Sequence, residues 1–102
     1  MPDRIDDTYT LGFRAVQDRA PEVSGIYAIF TARRWLHIGE TDDIRRSLLD
    51  HLNDPDVVRL AESGPLSFSF EVVAPAGRVA RRRALIERLA PGLGEGGRLG
   101  DR

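Results

Sequence analysis

The run from Ser24 to Leu52 constrains this chain more than any other stretch. Two β-rich segments, Gly25–Thr31 and Trp35–Gly39, flank the short link Ala32-Arg33-Arg34. In the first, Ile26, Ala28 and Phe30 alternate with Tyr27, Ile29 and Thr31, so both faces carry apolar side chains. A strand of that kind must be covered on both sides, which predicts a central place in its sheet. Trp35, Leu36 and Ile38 give the second segment a similar character, and Gly39 lets the backbone turn tightly. A helix signal follows at once. Thr41 is a good N-cap, and Asp42 and Asp43 suit the positive end of the helix dipole in the first turn. Ile44, Leu48, Leu49 and Leu52 then recur at helical spacing and predict the core face. The unit is a hairpin followed by a helix.

Asn53 and Asp54-Pro55 end that helix, and Asp54 caps the next with Pro55 at its first position. Val57, Val58, Leu60 and Ala61 give this second helix an apolar side, and Gly64-Pro65 stops it. From Leu66 to Val72 the alternation is strict, with Leu66, Phe68, Phe70 and Val72 inward and Ser67, Ser69 and Glu71 outward. A last helix runs from about Arg78 to Ala90, ended by Pro91, with Val79, Arg82, Ile86 and Leu89 on one stripe. Upstream, Tyr9, Leu11 and Phe13 alternate as a short edge strand, while Ala15–Arg19 can instead extend a helical turn that stops before Pro21. The expected fold class is α+β, a small three-stranded antiparallel sheet flanked by helices. Residues 1–23 are expected to pack on a domain spanning 24–91, and 92–102 to form a flexible Gly-rich tail.

The hairpin and its helix resemble the start of a GIY-YIG endonuclease domain. Gly25-Ile26-Tyr27 matches the first signature element, and His37-Ile38-Gly39 the second, with His for the usual Tyr. Glu40-Thr41 and the leucine-rich helix ending in His51 also fit, and the likeness extends to Pro91. The resemblance implies a three-stranded sheet with helices packed on it and metal-assisted cleavage of phosphodiesters. That chemistry needs an activated nucleophile, a divalent cation on a carboxylate, a cation facing the phosphate and a stabilised leaving oxygen.

Carried across by position, the resemblance makes Tyr27 the first tyrosine, which serves or assists the general base, and His37 the second. The helix Arg of the family falls eight residues after the second-motif glycine, which here is Ser47. The metal-binding Glu falls nine residues before the closing proline, which here is Arg82. Gly94 stands where an Asn usually follows that proline. Arg46 lies about 100° round the helix from Ser47, and Glu87 about 140° round from Arg82. Glu40 and Glu71 are other carboxylates near strand ends. Loss of one charge-stabilising donor already slows such reactions ~10²–10³-fold. The expectation is a catalytically degenerate domain without a metal, Mg²⁺ or Mn²⁺ being required only if the catalytic groups have relocated.

Composition leaves the partner open. Net charge is −1, so nothing attracts nucleic acid globally. Every one of the 15 basic residues is Arg, with Arg33, Arg34, Arg45 and Arg46 near the hairpin and Arg78, Arg81, Arg82, Arg83 and Arg88 near the C-terminus. The absence of Cys excludes disulfides and thiolate metal sites. No apolar run approaches the ~20 residues of a membrane span, and a cytoplasmic protein is expected. A site of His37 and His51 alone would need carboxylates to hold a metal, and none is expected. Three readings follow. A binding module would grip nucleic acid or another anion with Arg45, Arg46, Arg81 and His51. An active DNA endonuclease would use relocated groups. A protein-interaction or structural domain would keep the cleft as a vestige.

Overall fold

The structure is a computed structural model that describes residues 8–90. The expected tail at 92–102 and the helix-ending Pro91 lie outside the described residues. In chain order the elements are β1 (Tyr9–Thr10), α1 (Phe13–Arg19), β2 (Gly25–Phe30), β3 (Trp35–Thr41), α2 (Ile44–Leu52), α3 (Pro55–Ala61), β4 (Ser67–Val72) and α4 (Arg78–Leu89). A 3-10 turn at Pro75–Gly77 leads into α4.

The sheet is antiparallel with strand order β1-β4-β2-β3. It has four strands rather than the expected three, because Tyr9 and Thr10 pair with Phe68 and Ser67. Both readings of the N-terminal segment hold in part. The strand is real but ends at Thr10, and Phe13 starts α1, where it is exposed. Leu11 N–H still donates to Leu66 O at 2.7 Å, which ties the segment to β4.

All six residues of β2 are buried, as its two-sided apolar character requires. Tyr27 and Ile29 pack with Val16, Ile44, Leu48 and Phe68 in a layer built by α1 and α2. Ile26, Ala28 and Phe30 pack with Ile38, Leu85, Ile86 and Ala90 under α4. This two-layer cover also explains the serines of β4. Ser69, expected outward, is fully buried, since it is the Cα partner of Ala28 and so faces the α4 layer. Val72, expected inward, is the last residue of its strand and is exposed.

The caps differ from expectation in one place. Thr41 is the last residue of β3, and Asp43 caps α2 by accepting from Arg46 N–H at 3.0 Å. Asp42 and Asp43 therefore precede the helix instead of occupying its first turn. Asp54 caps α3 by accepting from Asp56 N–H, with Pro55 at the first position. In α4 the buried stripe is Leu85 and Ile86, and Val79 is exposed. The first turn of that helix instead directs Arg78 to the domain, where its Nε lies 2.9 Å from Glu40. No helix among the described residues is long and apolar enough to cross a membrane.

Gly25 marks the tightest point of the core. A Cβ there would lie 2.2 Å from Glu71 O and 2.6 Å from Ile44 Cδ1. Gly25→Ala should therefore lower the unfolding free energy by about 1–3 kcal/mol, read as a shift of the urea midpoint at unchanged m-value.

Candidate functional site

Tyr27 sits in the middle of the most buried strand, and its ring points into the α1–α2 layer. The phenol emerges between two histidines. Its Oη lies 3.0 Å from His37 Nε2 and 2.9 Å from His51 Nε2. The imidazole ring centres are 4.7 Å apart, and each is tilted against the tyrosine ring. A hydroxyl has one proton to give, so at least one imidazole must donate its own Nε2–H to Oη.

Three local features bring these groups together. The register between β2 and β3 shifts at Ile29/Phe30, so that His37 partners Ile29 while Trp35 partners Phe30. The irregularity places His37 on the same face as Tyr27. Gly39 is the Cα partner of Tyr27, and its missing side chain makes room. A Cβ there would lie 2.7 Å from Tyr27 Oη and 2.8 Å from His37 Nε2. The last turn of α2 supplies His51, and Ser47 one turn earlier points the same way.

Tyr27, Ser47, Asp50, His51 and Asp54 line a cleft of about 210 Å³. A neighbouring pocket of about 330 Å³ has His37 and His51 in its wall beside Leu36, Leu60 and Leu66. Ser47, where the resemblance places a helix Arg, is engaged by a neighbour. Its Oγ is 2.6 Å from Thr41 Oγ1, which also accepts from Asp43 N–H. The sequence reading did not single out Asp50 and took Asp54 only as a helix cap, although Asp50 follows Ser47 at helical spacing.

Arg82 does not line this cleft. It rises from α4, in the opposite layer, and its Nε donates to Ile38 O at 3.1 Å, beside Gly39. The three arginines expected from the sequence to bind an anion, Arg45, Arg46 and Arg81, have internal partners. Arg45 Nε donates to Ala20 O at 2.8 Å, and its Nη1 lies 3.3 Å from Glu22. Arg46 pairs with Asp42 at 2.8 Å on the exposed side of α2. Arg81 makes a two-pronged bond to Glu71, at 2.9 and 3.1 Å.

These partners decide whether the residues suit the hard cation that the resemblance implies. Mg²⁺ and Mn²⁺ need carboxylate oxygens. Of the carboxylates near the strand ends, Glu40 is taken by Arg78 and Glu71 by Arg81, and α4 presents Arg82. The donor set on the α4 side does not fit a hard cation.

Tyr27→Phe removes the one oxygen that both imidazoles engage. The variant should lose about 1–3 kcal/mol of stability, measured by urea unfolding, because polar ring atoms next to the core lose their partner.

No family model matches this chain, and no curated protein matches it by sequence. Solved structures do match. Three structures of the GIY-YIG N-terminal endonuclease domain of UvrC from Thermotoga maritima are similar, each a point mutant bound to the catalytic divalent cation. Their TM-scores are 0.58–0.59 at 22–23% sequence identity, over 76% of this chain and 88% of theirs. Identity this low speaks for architecture alone, and the architecture is that of the GIY-YIG endonuclease domain.

Proposed function

We propose that this chain is a nucleic-acid-binding domain on a GIY-YIG nuclease fold that has lost phosphodiester cleavage. The observation that carries this reading is the placement of Arg82. A guanidinium rests on the carbonyl of Ile38, beside the second motif, at the helix position where the resemblance calls for a metal-binding carboxylate. The nearby carboxylates are neutralised by arginines, and Ser47 offers a hydroxyl in place of a cation. Without the metal and the helix cation, the charge that builds on a phosphate in flight has little to oppose it.

Binding would draw on arginines at the surface. Arg33, Arg34, Arg83 and Arg88 are exposed, and no ion pair holds them among the described residues. Asp50 and Asp54 at the Tyr27 cleft repel a phosphate, so the backbone would track the rim and not enter. Contacts of this sort bind without sequence preference and weaken steeply with salt.

The active-endonuclease reading keeps one observation in its favour, since Tyr27 retains two hydrogen-bonding imidazoles. One experiment separates the two. Fluorescence anisotropy with labelled single- and double-stranded DNA should give binding that falls with a log–log salt slope of about −2 to −4. Affinity should be equal in magnesium and in chelator, and no product should appear with Mg²⁺ or Mn²⁺. Metal-dependent nicking that disappears in Tyr27→Phe would establish the enzyme instead. Absence of binding at low salt would leave the protein-interaction role.

A further inference from the structure

We infer that Tyr27, His37 and His51 form a site for one borderline transition cation, best suited to Zn²⁺. It is separate from the α4 position at which the resemblance places a hard cation. Two imidazoles on different elements aim the same atom, Nε2, at one phenolic oxygen, at 3.0 and 2.9 Å. Zinc bonds nitrogen at about 2.0–2.1 Å, which sets the ligand atoms of a tetrahedral ion roughly 3.3 Å apart. The present separations need to open by only a few tenths of an ångström.

Gly39 lets the donors crowd against β3, since a Cβ there would lie 2.7 Å from Oη and 2.8 Å from His37 Nε2. His51 and Tyr27 border the cleft that holds Asp50 and Asp54, so the fourth coordination position opens toward water and negative charge. Among the described residues no three His, Asp or Glu side chains gather as a metal site. The third donor is the tyrosine.

The donor set selects the ion. Two imidazole nitrogens and a phenolate suit Zn²⁺, Co²⁺ or Ni²⁺, whereas Mg²⁺ prefers oxygen alone. Coordination requires a lone pair on both Nε2 atoms, so any Nε2 proton moves to Nδ1 of its ring. The phenol proton leaves to buffer as Oη bonds the ion, and one proton is released for each ion bound.

The chain has two histidines, which makes a direct test possible without altering it. Imidazole ¹⁵N NMR on the full, untagged chain should show both Nε2 resonances moving together and saturating at one equivalent of Zn²⁺. Mg²⁺ at millimolar concentration should leave them in place. Calorimetry should find one site, proton release that depends on the buffer, and affinity lower by at least about a hundredfold in either His37→Ala or His51→Ala. Movement of a single imidazole, no movement at millimolar Zn²⁺, or undiminished affinity in either variant would overturn the assignment. The DNA-binding measurement in chelator is independent of every one of these outcomes.

Discussion

The double burial of β2 governs where each functional side chain lies. Odd positions, Tyr27 and Ile29, go to the α1–α2 layer, and even positions, Ile26, Ala28 and Phe30, go to the α4 layer. Because the period of a strand is two, a slip of one residue would exchange the layers and drive the phenol of Tyr27 under α4. Register is held by matching partners on both sides, β3 and β4, through the length of the strand. The irregularity at Ile29/Phe30 then adjusts β3 alone, so that His37 joins Tyr27 while Trp35 stays in the α4 layer against Phe30. The tyrosine–histidine cluster is thus a product of sheet packing before it is a product of any single contact.

Arginine acts in this domain as much as a strut as a surface charge. Arg45 clamps the end of α1 to α2 through Ala20 O, and Arg81 clamps α4 to β4 through Glu71. Arg78 joins α4 to Glu40 at the end of β3, and Arg82 joins it to the middle of that strand. The planar fork of a guanidinium suits such two-point links better than a lysine ammonium would. An all-arginine basic set with a net charge of −1 is consistent with that use.

Much of this was legible in the chain itself. Six apolar positions in a row at Gly25–Phe30 leave a central strand as the economical solution, and Asp54-Pro55 marks a helix start by its own chemistry. Ser47 and His51 stand one turn apart on α2, and both line the cleft beside Tyr27. What escaped depended on distant partners. The alternation of Tyr9, Leu11 and Phe13 announced an edge strand, but not that its pairing with β4 stops at Thr10. Thr41 has the chemistry of a cap but belongs to β3, whose pairing with Gly25 holds it extended, and Asp43 takes the cap instead. Val79 lies on the predicted stripe, yet the ion pair of Arg78 with Glu40 decides which side of that first turn meets the domain. Ser69 looked solvent-facing because helical cover on the second face of β4 has no signature within the strand.

Among the described residues β3 is an edge strand of the sheet and the longest strand, at seven residues. Such an edge invites a foreign strand to dock and extend the sheet. Here the guanidinium of Arg82 already occupies a main-chain acceptor halfway along it, brought there by a helix that cannot easily withdraw. That acceptor is thereby engaged within the molecule rather than offered to an incoming strand.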